Sequence, residues 1–185
     1  MEINMEEKMR KAIDHFAEGL WDVFDIQTDS IDLEKFVRDI GGRIKLCDEL
    51  PDCGFPCCAD GTLKKADDDG FIIYADRGMS SQMLRFAIAH EIGHLFLHCG
   101  YIVNRKKWDS FDVSCCKDMA ENERELEANE FARAFLMPED RFRDFIEENR
   151  EGNKIDMNLA ARNFDVSLGM ATYRARQLTI IMSLF

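Results

Sequence analysis

The 185-residue chain contains no run of eighteen apolar residues, which argues against a membrane-spanning helix. It is also short of positive charge. Lys and Arg number 24 against 36 Asp and Glu, and the formal net charge of −12 speaks against a broad phosphate-binding surface. Nucleic acid is therefore not an expected partner, nor is a membrane. Met1 to Lys11 is charged throughout and lacks the apolar core of a signal peptide, so a cytoplasmic protein is expected. Histidine is scarce at four residues, yet His90, His94 and His98 fall within one short segment. That concentration needs a chemical reason.

Cysteine is not scarce, but its pattern excludes a simple disulfide framework. Cys47, Cys53, Cys57, Cys58, Cys99, Cys115 and Cys116 form an odd set with two vicinal pairs. Reduced thiols in the cytosol are the reading that fits them. A metal site among Cys53, Cys57, Cys58 and the 115–116 pair would need a Cys-x₂-Cys pair with a matching partner, and none is present.

Hydrophobic periodicity places the elements. Met9, Ile13, Phe16, Leu20 and Phe24 recur at helical spacing between Glu6 and Phe24, with His15 off the stripe. A second helix opens at Ser30, carries Leu33, Phe36, Val37 and Ile40, and stops at Gly41-Gly42. Arg43 to Leu46 alternates like a half-buried strand, and Phe71 to Tyr74 reads as another. Between them, Asp48 to Gly70 is loop-like, with Asp67-Asp68-Asp69-Gly70 as a tight solvated turn. A helix capped by Ser80 or Ser81 is apolar on nearly every side from Met83 to Phe96 and belongs at the centre of the domain. Residues 100–122 are irregular and polar, with Trp108 and Phe111 as anchors. The next helix runs from Glu121 to Met137, where Pro138 ends it. Two further helices follow, the last broken near Phe164.

The central helix carries His90-Glu91-Ile92-Gly93-His94. Residues four apart face one way on an α-helix, so both imidazoles can hold a single ion. Glu91 is offset from them and suits a general base acting on water at the open fourth position. Burying two histidines and a glutamate in a core helix is costly unless they are satisfied, and metal binding satisfies them. His98, one turn further, suits a helix cap or a contact to a ligand better than ligation itself.

The third ligand is sought on the helix with Glu123, Glu125, Glu127 and Glu130. Glu127 shares a stripe with Ala128, Phe131, Ala132 and Phe135, so its carboxylate is expected in the core; it is preferred over Glu130 and Glu123.

The segments Ala89 to His98 and Glu127 to Pro138 resemble the ImmA/IrrE family of metallopeptidases, and Leu159 to Ser167 resembles that family's closing helix-turn-helix-like segment. The resemblance implies an α+β, mainly helical zincin-like fold of gluzincin type with a small β-sheet. It places one such domain over 1–185, with a protease core of about 25–140 and a C-terminal helical segment of about 141–185. It also implies a Zn²⁺ site of His90, His94 and Glu127, open to Mn²⁺ or Fe²⁺, with Glu91 catalytic. The implied activity is endopeptidase cleavage of a helix-turn-helix transcriptional repressor, as in mobile-element induction. The Cys-rich stretch at 47–61 and the long connection before the Glu helix depart from the family's common form. Two other readings stand beside it: a toxin or regulator that binds a partner without cutting it, and a DNA-binding regulator. For the latter, 151–185 holds Lys154, Arg162, Arg174 and Arg176 against Glu151, Asp156 and Asp165, a weak positive face, so packing on the core or docking substrate is the better use of that segment. Substrate is expected to add as a strand beside Phe71–Tyr74, with Tyr74, Tyr101 or Tyr173 stabilising the oxyanion.

Overall fold

The computed structural model describes residues 6–49, 61–110, 121–152 and 154–181, the side chains of 121 and 122 aside. The chain begins with α1 (Glu7–Val23) and α2 (Leu33–Asp39), followed by β1 (Gly42–Cys47), β2 (Gly61–Lys65) and β3 (Phe71–Asp76). Asp32, rather than Ser30, caps α2, accepting from the Lys35 amide at 2.9 Å. Next come α3 (Ser81–Gly93), a π-helical turn (His94–His98) and α4 (Arg105–Asp109). The chain closes with α5 (Glu121–Leu136), α6 (Glu139–Asn149), α7 (Met157–Asn163) and α8 (Leu168–Gln177). This is an α+β domain, mainly helical with a small three-stranded sheet.

The sheet order is β1-β3-β2, with β1 parallel and β2 antiparallel to β3. β3 is therefore the central strand. The expected substrate edge at Phe71–Tyr74 is corrected accordingly, because both sides of β3 are already paired. Among the described residues, the sheet edge beside the site belongs to β2, a strand that lies within the stretch expected to be loop. Gly61-Thr62-Leu63-Lys64-Lys65 carries one large apolar residue and so lacks the alternation that marks a strand; its pairing with β3 makes it one.

Phe71, Ile73 and Ala75 alternate onto the buried face of the sheet, where α3 lies. The other side of α3 packs on α5, which in turn packs on α1. Trp21 of α1 donates its indole N–H to the Phe135 carbonyl at 2.9 Å, and Phe16 fits between Phe96 and Phe131. α3 is thus enclosed, as its apolar circumference requires. Ser80 caps it through the Met83 amide at 3.4 Å.

The acidic turn does more than mark a reversal. Asp68 binds Arg43 of β1 at 2.9 Å, and Asp69 accepts from Arg105 at 2.5 Å and from the buried Trp108 indole at 3.2 Å. The turn thereby pins α4 against the hairpin. Of the cysteines, Cys99 is buried and Cys47 half-buried; Cys53, Cys57, Cys58, Cys115 and Cys116 lie outside the described residues, as does Phe111. Among the described residues, no helix is long and apolar enough to cross a membrane.

Candidate metal and catalytic centre

α3 and the π turn that continues it present His90 and His94 from successive turns toward α5. Their Nε2 atoms are 2.9 Å apart. The carboxylate that meets them is Glu125, with Oε2 at 3.2 Å from His90 Nε2 and Oε1 at 3.1 Å from His94 Nε2. In a tetrahedral zinc site with bonds of 2.0–2.1 Å, neighbouring donors stand about 3.3 Å apart. Two imidazole nitrogens and one carboxylate oxygen at this spacing fit a divalent ion. Among the described residues they are the one group of His, Cys, Asp or Glu that does.

Glu127 is not in that group. Its Oε2 lies 2.9 Å from His98 Nε2. The helix period explains the difference. α3 crosses α5 where Gly93 meets Ala128: a Cβ on Gly93 would stand 3.1 Å from Ala128 Cα. The residues sharing the face of Ala128 toward α3 are those at −3, +1 and +4, which are Glu125, Asn129 and Ala132. Glu127 falls on the flank, above Phe131. The apolar stripe identified which side of α5 is buried, but the small-residue crossing decides which carboxylate reaches the histidines. Glu130 is the carboxylate that enters the core, only 3% exposed. It is bound by Gln177 Nε2 at 2.5 Å and lies 3.8 Å from Arg174, so a cation rather than a metal compensates it. Glu123 is exposed.

The ring orientations are set from outside the cluster. His90 Nδ1 donates to Asn129 Oδ1 at 3.1 Å, and His94 Nδ1 lies 2.9 Å from His98 Nδ1. Burial opposes charge on His90, but the Glu125 hydrogen bond and the nearby Glu91 charge outweigh it and hold its pKa above the usual value. For Glu125, burial favours the neutral acid, yet the two imidazoles overcome this and push its pKa well below the carboxylate range. These groups share protons that a metal would replace. His98 is driven the other way: burial, then the His94 charge, lowers it to about 3.

Glu91 is buried at 7% exposure, beside the two histidines and against β2. A Cβ on Gly61 would stand 3.0 Å from Glu91 Oε1, and the Leu63 backbone N–H bonds the carboxylate. Burial raises the Glu91 pKa. A carboxylate held in this way between two imidazoles and a strand edge can take and return a proton there.

The tyrosines expected at an oxyanion are engaged elsewhere. Tyr101 donates its hydroxyl to the Ile40 carbonyl at 2.6 Å. Tyr74 stands on the sheet face away from α3, under Lys45, and Tyr173 lies against Arg133.

Fold and donor arrangement together define a zincin-like peptidase domain. The family model Peptidase_M78, the IrrE N-terminal-like domain, matches residues 59–176, and the chain belongs to that family. A peptidase with a bound metal is what the family implies. A solved structure titled as a Mycobacterium tuberculosis transcriptional regulator shares the fold, with a TM-score of 0.60 at 21% identity over 92% of this chain. The chain spans about half of that protein, 51% of its length. No curated protein matches the chain.

Proposed function

We propose that the chain is a zinc-dependent endopeptidase that cuts a protein inside the cell, with a helix-turn-helix transcriptional repressor as its substrate. The observation that carries the reading is the convergence of His90, His94 and Glu125 beside a buried Glu91 at a strand edge. In this reading His90, His94 and Glu125 hold the ion, and Glu125 takes the role expected of Glu127. When bound, the ion supplies Lewis-acid chemistry.

The chain's own groups do the rest. Among the described residues, β2 has no strand on its outer edge, so an extended substrate segment can pair there. Gly61 keeps that edge close to Glu91. Glu91 takes a proton from the attacking water and gives it to the departing amine, which completes hydrolysis without a covalent enzyme intermediate. The repressor as substrate rests on the family resemblance, and the regulator sharing the fold agrees with it without adding to it. We take the chain as one domain, with a core of 25–140 closed by 141–185. The buried Arg174 that joins α8 to α1 and α5 supports this reading and leaves α8 poorly suited to reading DNA.

The test is Glu91→Gln. The zinc-loaded protein is incubated with candidate repressors and the fragments are mapped. The variant is expected to bind zinc as the parent does and to lose cleavage by ~10²–10⁴-fold. Equal cleavage by parent and variant would remove Glu91 from the chemistry, and no cleavage by the zinc-loaded parent would sink the enzyme reading in favour of partner binding alone.

A further inference from the structure

His98 stands outside the donor cluster but is tied to it. Its Nδ1 is 2.9 Å from His94 Nδ1, and its Nε2 is 2.9 Å from Glu127 Oε2. It reaches both because residues 94–98 form a π turn, in which the Cys99 amide bonds the His94 carbonyl five residues back. Such turns are rare inside helices and recur at functional sites.

With Glu127 ionised and both imidazoles neutral, as ligation of a metal through His94 Nε2 requires, proton counting along this row has one solution. An ionised carboxylate can only accept, so His98 must carry its proton on Nε2 and donate to Glu127. A neutral imidazole has one N–H, which leaves His98 Nδ1 as an acceptor. The partner nitrogen, His94 Nδ1, must then be the donor. His94 Nε2 is left with its lone pair, and that atom faces His90 and Glu125. We infer that Glu127 and His98 form a two-residue relay that selects the Nδ1–H tautomer of His94 and aims its Nε2 at the metal. Asn129 does the same for His90 in one step. Both are positioning residues, supporting ligands from behind. The relay rests on the reading of His90, His94 and Glu125 as the metal ligands.

The experiment has a metal-free and a metal-bound arm. In the apo protein, long-range proton–nitrogen correlations on the histidine rings report the tautomer. A proton on His94 Nδ1 is expected in the parent, with the preference lost in Glu127→Ala and His98→Ala. Zinc affinity, measured by chelator competition, should fall ~10- to 100-fold in each variant. It should fall no further in the double variant than in His98→Ala alone, since one row of bonds is being broken. Should the alanine variants fail to fold, Glu127→Gln serves: its amide both donates and accepts, so it no longer fixes the tautomer. A parent that binds no zinc, or keeps it in His94→Ala, overturns the ligand reading and the relay with it. If His94→Ala abolishes binding while the Glu127 and His98 variants match the parent in tautomer and affinity, the relay alone is overturned.

Discussion

The Glu125 carboxylate stands 3.1 Å from His94 Nε2, while Glu127, two residues on, turns to His98 at 2.9 Å. Two glutamates of one helix thus have unequal parts. Removing Glu125 takes a donor from the cluster; removing Glu127 only loosens a histidine. Glu125→Ala should weaken zinc binding well beyond the ~10- to 100-fold expected of a supporting residue. Metal content after dialysis, with a chelator titration, measures the difference. A Glu125→Ala protein that keeps its zinc while Glu127→Ala loses it would reverse the assignment.

The spacing between α3 and α5 depends on Gly93. A Cβ there would meet Ala128 Cα and Phe131 Cδ1 at 3.1 Å and the Ala128 carbonyl oxygen at 3.2 Å. Backbone atoms cannot step aside as a flexible side chain can, so a larger residue must push the helices apart. Gly93→Val should cost ~1–3 kcal/mol by overpacking, read by urea unfolding. Because His90 and His94 ride on α3 and Glu125 on α5, the same shift should open the donor cluster and weaken zinc binding. A variant that is destabilised but binds zinc like the parent would show that the crossing does not set the site.

The helical half of the fold was legible because helix periodicity is local. The stripe from Ile13 to Phe24, the cap at Ser80 or Ser81 and the stop at Pro138 each report on their own few residues. His90-Glu91-Ile92-Gly93-His94 was legible for the same reason. What sequence did not show is what depends on distant partners. β2 is a strand through its pairing with β3, and β3 is central because β1 and β2 flank it. That Glu125 rather than Glu127 stands beside His90 and His94 depends on where Gly93 meets Ala128. Pairing these small residues across the two motifs was the signal that could have found it.

Glu18 offers a test through pH. Pro138 has no side chain able to cap α6, and Glu18 Oε1 accepts the Glu139 amide at 2.9 Å in its place. Burial, and then the charge of Asp140, raises the Glu18 pKa despite that hydrogen bond. The folded value therefore lies above the unfolded value of about 4.3. Below the unfolded pKa the group is protonated in both states and carries no penalty. As pH rises through the folded pKa the fold must accept a disfavoured charge, and stability is lost. Glu18→Gln keeps an acceptor oxygen and removes the charge. Its melting temperature relative to the parent should be higher at pH 7 than at pH 4. An offset that is the same at both pH values, or larger at pH 4, would contradict this account.

Arg174 sits on α8, in the place where a helix-turn-helix would offer a reading residue, yet it is fully buried at 0% exposure. Its Nη2 donates to Asp14 of α1 at 2.5 Å, its Nε to the Met137 carbonyl at 3.1 Å and its Nη1 to Gln177 at 3.1 Å, with Glu130 at 3.8 Å. One guanidinium therefore neutralises carboxylates from two helices and holds the closing segment to the core. Arg174→Ala would leave Asp14 buried without its cation and Glu130 with Arg133 alone, at 3.5 Å, at a cost of ~3–5 kcal/mol. The exposed Arg176, one position from the buried Ala175, should change stability by no more than ~0.5 kcal/mol when replaced by Ala. Urea unfolding of the two variants measures the contrast, and a gel shift across salt concentrations measures the alternative. If Arg174→Ala is as stable as the parent while the parent binds DNA tightly and in a salt-sensitive way, α8 reads DNA instead of closing the peptidase domain.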